Sequence, residues 1–233
     1  MRIRSFIIAY ALVLAILLFA DRRPPSPEQD RYSHVVDLTD GQSATKPQTS
    51  SPAISAESSA ESRTHIIAPA ALIPGTWAAG QIPPERLVAP LVVMDLNASE
   101  GSPQISLDDI AAWETHHGMI PQGAVVAIRR AGAFHIAPVV ASDRAATTPL
   151  PIASNAAMFL IDARYTIGFV VETPVDLASD RTLARQLALH GNYVVAGATR
   201  FKSLPETGSL IIVAPAKNKK PGEAPVRILA MVR

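Results

Sequence analysis

Leu91-Val92-Val93-Met94-Asp95-Leu96, then Ser106-Leu107-Asp108-Asp109-Ile110-Ala111-Ala112-Trp113-Glu114, then Gly123-Ala124-Val125-Val126-Ala127-Ile128-Arg129 set the fold class. The first is a short apolar run between Pro90 and Asn97, the pattern of a strand buried on both faces. The second opens with a capping signature. The Ser106 hydroxyl can accept from early helix N–H groups, while Asp109 reaches back to the amide of Ser106. A helix is predicted through about His116, with Gly118 as its stop. The third run, Gly123–Arg129, returns to a strand. Strand, helix and strand in succession predict an α/β unit.

The same alternation continues toward the C-terminus. A helix is predicted over Ser154–Arg164 and a strand over Ile167–Glu172. Ser179 or Asp180 caps a further helix running to about His190, which Gly191 stops. Strands follow at Tyr193–Ala196, Ser209–Ala214 and Val226–Val232. Lys217-to-Lys220 with Pro221 and Gly222 reads as the turn between the last two. The expected class is α/β with a mixed sheet.

Toward the N-terminus the composition changes. Arg2 and Arg4 precede an apolar run from Phe6 to Ala20, and a polar stretch follows. That order is the order of an export signal, and the run is short of the ~20 residues that cross a bilayer. Residues 1–21 therefore read as a cleaved signal peptide or a retained membrane anchor. The expected location is the periplasm, either free or tethered through Phe6–Ala20. Residues 22–63 are rich in Pro, Ser, Thr, Ala and charge and read as a tether. One short strand is expected in it, around Val35-Val36-Asp37-Leu38. The globular domain is expected over residues 64–233.

Composition narrows the chemistry. With 21 Lys and Arg against 20 Asp and Glu in 233 residues, the formal net charge is +1. Such a balance argues against a nucleic-acid partner. The absence of Cys excludes disulfides, thiol nucleophiles and Cys-ligated zinc or iron–sulfur centres. No G-x-S-x-G, G-x-G-x-x-G or Walker pattern occurs, so neither a serine-hydrolase elbow nor a dinucleotide or P-loop site is expected.

Three stretches carry a resemblance. They are Thr64-His65-Ile66-Ile67-Ala68-Pro69-Ala70-Ala71-Leu72 continuing through Pro74-Gly75-Thr76-Trp77; Gln81 to Asp95 with Asp108 to Glu114 and His117-Gly118-Met119-Ile120-Pro121; and Leu204-Pro205 through Gly208, Val213-Ala214-Pro215 and Ala224-Pro225-Val226-Arg227. Together they resemble the "Putative cyclase" family, which includes the bacterial kynurenine formamidases. The resemblance covers about Val35 to Val232. It implies a swivelling β/β/α domain, usually a dimer or higher oligomer. The activity it implies is metal-dependent hydrolysis of an amide or lactone-like bond, of arylformamidase type.

The family's metal motif, H-x-G-T-H-x-D-x-P-x-H, lies over Glu61 to Ala71. Thr64, His65 and Pro69 match. Glu61 stands for the first His, Arg63 for the Gly, Ile67 for the Asp and Ala71 for the last His. A further family His falls near Ala184 and a family Glu on Ala196. A hydrolytic zinc or manganese needs about three protein ligands and an open position. His65 and Glu61 are the metal-ligand candidates that remain, and no resident cofactor is expected on two ligands. The expectation is an exported pseudoenzyme, binding a small molecule or a protein partner as a homo-oligomer. The alternative is an active amide or lactone hydrolase with a rebuilt site around His65, using Glu61 with His135 or His190.

Other polar residues have ordinary readings beside functional ones. His116 and His117 end a predicted helix, where a cation suits the dipole, and His34 borders the tether. Asp95 and Glu172 end strands, where carboxylates either line α/β pockets or serve loop solvation and capping. Trp113 belongs in the core or a subunit interface, and Trp77 forms a pocket wall or a packed loop. Lys217, Lys219 and Lys220 blunt a sheet edge or contact an anionic surface.

Overall fold

The computed structural model describes residues 32–40, 64–96, 104–130, 148–217 and 222–233. The export run Phe6–Ala20, most of the tether, Glu61, His135, Lys219 and Lys220 lie outside these residues. Eight strands are described: β1 His34–Asp37, β2 His65–Ile67, β3 Val88–Leu96, β4 Val125–Arg130, β5 Gly168–Val171, β6 Tyr193–Ala196, β7 Ser209–Pro215 and β8 Glu223–Val232. Four α-helices accompany them among the described residues: α1 Pro69–Leu72, α2 Leu107–His117, α3 Ser154–Arg164 and α4 Arg181–Leu189.

The sheet order is β1-β8-β2-β6-β5-β4-β3-β7, and β7 also pairs with β8. That last pairing closes seven strands, β2 to β8, into a barrel. β3, β4, β5 and β6 run parallel, joined by α2, α3 and α4 as successive βαβ crossovers. β2, β7 and β8 close the ring with antiparallel pairings. β1 extends one edge of β8, beyond the stretch that β2 occupies.

Two apolar layers follow from the alternation of each strand. Leu91, Val93, Val125, Ala127, Val170, Tyr193, Val195, Ile211, Val213, Val226 and Ile228 fill the barrel. Val92, Met94, Val126, Ile128, Phe169, Val171, Val194, Ala196 and Ile67 face outward, into a second core with Trp113, Leu160, Leu183 and Leu187 of the helices. Strands buried on both faces need unbroken apolar runs, which is why β3 to β6 read as they do. β8 instead alternates exposed and buried residues along Glu223–Arg227, the pattern of a strand covered on one face.

The helix ends follow the sequence closely. Ser106 Oγ accepts from Asp109 N at 3.2 Å, and Asp109 Oδ2 accepts from Ser106 N at 2.8 Å. Gly118 ends α2 with φ 84°. Asp180, rather than Ser179, caps α4, its Oδ1 accepting from Leu183 N at 2.9 Å.

β4 and β5 start within two residues of expectation, at Val125 and Gly168, and two other strand starts differ by three residues. β3 begins at Val88, not Leu91, and β8 at Glu223, not Val226; each contains a proline. Val213 N donates to Leu87 O, so Pro90 opposite Leu210 falls in a non-bonded antiparallel pair. Val226 N donates to Thr64 O, which places Pro225 opposite His65 in the same kind of pair. Neither proline is asked for the donor it lacks.

Gly168 sits opposite Tyr193, whose ring crosses it inside the barrel. A Cβ at Gly168 would stand 2.6 Å from Tyr193 Cε2. Tyr193 is fully buried and its hydroxyl donates to Arg86 O at 2.9 Å, so the ring has little room to retreat. Gly168→Ala is expected to cost about 1–3 kcal/mol by overpacking. Thermal denaturation measures it, and an unchanged midpoint would contradict this packing.

Candidate functional site

The motif residues occupy the start of the domain, on β2 and α1. Thr64 precedes β2 and is fully buried. Its hydroxyl donates to Gly197 O at 2.7 Å and accepts from Asp40 N at 2.7 Å. The matched threonine thus ties three segments together. His65 opens β2, facing Ala196 of β6 on one side and Pro225 of β8 on the other. Its Nε2 lies 3.4 Å from Glu223 Oε2. Pro69 supplies the first turn of α1, where its missing N–H costs nothing.

The positions to which the resemblance assigns further ligands are close in the fold and chemically empty. Ile67 is 4% exposed, Ala184 8% and Ala196 0%, and all three belong to one apolar cluster with Val194 and Leu187. Ala71, on α1, is exposed. None of these side chains has a lone pair to give. Among the described residues no group of three His, Asp or Glu stands close enough to hold an ion. The described residues at these positions therefore supply no ligand atoms toward the three that a hydrolytic metal centre uses.

The remaining histidines do not complete a ligand set among the described residues. His34 is exposed, its Nδ1 2.9 Å from Ser33 Oγ. His190 caps the end of α4 with its Nε2 3.8 Å from Asp162 Oδ1. His116 and His117 end α2, and the His117 ring lies 4.8 Å from that of Trp113.

Asp95 is neither a free pocket wall nor a loop carboxylate. Arg129 Nη2 donates to Asp95 Oδ2 at 2.9 Å and to Glu206 Oε1 at 2.8 Å. Arg129 Nη1 donates to Leu204 O at 2.8 Å and Phe201 O at 3.2 Å. This guanidinium closes one end of the barrel. Its partners at Asp95 and Glu206 hold it charged more firmly than an ordinary arginine, against the opposing effect of burial. A charged residue ending an apolar strand was the sequence signal for this hub, which sequence reasoning did not single out.

Trp113 belongs to the core, 9% exposed, with Nε1 donating to Val93 O at 2.9 Å. Trp77 is 39% exposed and packs on the turn after α4. A Cβ at Gly191 would stand 2.7 Å from Trp77 Cζ3, and the Arg86 guanidinium lies 5.6 Å from the Trp77 ring. Arg86 Nη2 donates to Gly191 O at 3.1 Å. Tryptophan and arginine together fasten the end of α4. Sequence reasoning missed Arg86, because nothing local marks it.

The model of the family described as "Putative cyclase" matches residues 28–175, more than half of the chain. The chain belongs to the cyclase family. Solved structures agree with it. Isatin hydrolase A from Ralstonia solanacearum is 26% identical with a TM-score of 0.64, covering 96% of this chain and 97% of that one. Isatin hydrolase A from Labrenzia aggregata is 26% identical with a TM-score of 0.60, covering 85% and 93%. A structure described as a predicted metal-dependent hydrolase from Bacillus stearothermophilus is 25% identical with a TM-score of 0.53, covering 86% and 98%. No curated protein matches the chain. This cyclase-family member keeps the scaffold of hydrolase relatives, while Ile67, Ala71 and Ala196 stand where the resemblance places ligands and a fourth such position falls near Ala184.

Proposed function

We propose that this cyclase-family protein is a metal-deficient, non-catalytic binding member. It derives from amide hydrolases of the arylformamidase type. The observation that carries the reading is the packing of Ile67, Ala184 and Ala196 into one apolar cluster. Hydrolysis in such a site rests on a metal that lowers the pKa of bound water toward neutrality. Hydrocarbon at the ligand positions removes the means of holding it. The N-terminal pattern supports export to the periplasm, with Phe6–Ala20 as signal or anchor. The family resemblance supports a homo-oligomer, and the occupant is a small molecule or a protein partner.

A second reading rests on one specific contact. His65 Nε2 lies 3.4 Å from Glu223 Oε2, and Glu61 precedes His65 by four positions. A rebuilt zinc or manganese site would start from these residues and would support amide or lactone hydrolysis.

Metal content of the purified full chain separates the two. After incubation with zinc and manganese, elemental mass spectrometry is expected to find less than about a tenth of an equivalent. About one metal per chain, lost in His65→Ala, together with hydrolysis of a formanilide or lactone, would sink the binding reading and establish the second. Fractionation of the producing cells tests the location: a purely cytosolic chain would overturn export.

A further inference from the structure

We propose that the outward face of β7 and β8, flanked by β1 and the start of β3, is the surface through which two copies of this chain associate. The inference deepens the homo-oligomer reading above, on which it rests, and it holds whether or not a metal binds.

Strand register builds the face. Leu210 stands opposite Met231, and Ile212 opposite Leu229, across β7 and β8. Pro90 and Val88 of β3 continue these two rows on one side. Val35 and Asp37 of β1 continue them on the other. Seven of these eight side chains are apolar. Alternation along the strands turns them away from the barrel, because Ile211, Ala230 and Ile228 between them are buried inside it. None of the seven belongs to either apolar core. Val35 stays 58% exposed and Val88 51%. An antiparallel sheet that meets water on one face ordinarily carries polar residues there. Contiguous hydrocarbon in their place marks a surface with a partner.

Charge and shape choose that partner. The one carboxylate of the two rows is Asp37, and its Oδ2 already accepts from Arg227 Nη2 of the neighbouring strand at 3.0 Å. The charged corner is thus neutralised within the chain, and the rest of the face asks for no counter-charge. Such a surface is complementary to itself, which is what an isologous pair requires. An anionic lipid surface would instead select cations and would be repelled by Asp37 and by Glu223, 59% exposed at the start of β8. Two copies of the face can stack as sheets do, about 10 Å apart with interdigitating side chains. From strand spacing and residue rise the face measures about 300 Å². That is under half of the roughly 800 Å² per partner of a standard interface. The dimer is therefore expected to be reversible, with a Kd of about 10 µM.

The sequence has no Cys, so one introduced thiol reports one position. In an isologous pair the centre of the face meets its own copy. Leu229→Cys in the purified full chain, treated with a bis-maleimide long enough to span two stacked sheets, is expected to give a covalent dimer. Arg185→Cys, at an exposed position of α4, is expected to give none. Sedimentation velocity from about 1 to 100 µM is expected to show a monomer–dimer equilibrium that Ile212→Glu weakens at least tenfold. Val88→Glu provides a second variant, at a position exposed enough for the monomer to keep its fold. An oligomer unchanged in both glutamate variants would overturn this face and leave the homo-oligomer reading standing. A monomer at every concentration would overturn both. Equal cross-linking from Arg185→Cys, a Leu229→Cys thiol that stays unreactive because the chain covers it, or binding to phosphatidylglycerol vesicles that Ile212→Glu abolishes while no dimer forms, would also overturn the proposal.

Discussion

Ile67→Asp, which restores the family's acidic residue, is expected to destabilise the protein by about 3–5 kcal/mol without creating a metal site. Ile67 is 4% exposed on the outward face of β2 and shares its cluster with Val194, Ala196 and Leu187. The substitution first removes the burial of an aliphatic side chain, worth about 2 kcal/mol. It then places a carboxyl group among hydrocarbon, where ionisation is costly. Burial raises a carboxyl pKa, so the folded variant binds a proton more tightly than the unfolded one. The gap between wild type and variant should therefore narrow as pH falls. Urea denaturation at several pH values reads both effects. A variant as stable as wild type that takes up zinc would show that the site is one substitution from function, contrary to this packing.

Arg129→Met is expected to cost about 2–3 kcal/mol, the second large effect. The methionine replaces the stem and none of the hydrogen bonds. The carbonyls of Phe201 and Leu204 lose a donor, and two carboxylates lose their cation. Full burial of such a network would make the loss larger. Asp95 and Glu206 are 38% and 41% exposed, however, and water compensates them in part. The pH dependence has a definite sign. Its own backbone amide, then the Arg129 guanidinium, hold the Glu206 carboxyl below the usual range. A lowered folded pKa means stability that is present above the unfolded value and lost as pH falls through the folded one. Wild type should thus lose more stability than Arg129→Met on acidification below the usual glutamate range. Parallel acid titrations of the two proteins, followed by circular dichroism, decide it. Identical curves would deny the guanidinium this role.

Sequence reading reaches the βαβ half of the molecule and stops short of the barrel. The boundaries of α2 and α3 were legible because Ser106, Asp109, Gly118 and the apolar runs act locally. β2 was not predicted, since three residues make no period. Closure through β7 and β8 was not predicted either, because pairing between distant strands leaves no local trace. Prolines misled where they fell in non-bonded pairs, at Pro90 and Pro225. At the site, the loss of ligand chemistry was visible residue by residue at Ile67 and Ala71. That Ala196 lies directly across from His65, with Ile67 and Ala184 in the same packed layer, was visible only in three dimensions. The Arg129 network shares this reason: it is assembled from segments remote in the chain.

The last strand shuts the barrel, and this bears on how a newly made chain becomes folded. Thr39 Oγ1 accepts from Ile228 N across 189 residues, and β2 meets β8 at comparable separation. The β3–β6 segment can condense as it emerges from the ribosome, since its pairings are between successive units. The inner apolar face must wait for residues 223–232, because β8 supplies the partner of β1, β2 and β7 alike. Contacts of such range are slow to form. A nascent chain therefore carries an open apolar half-barrel until residues 223–232 are available to pair.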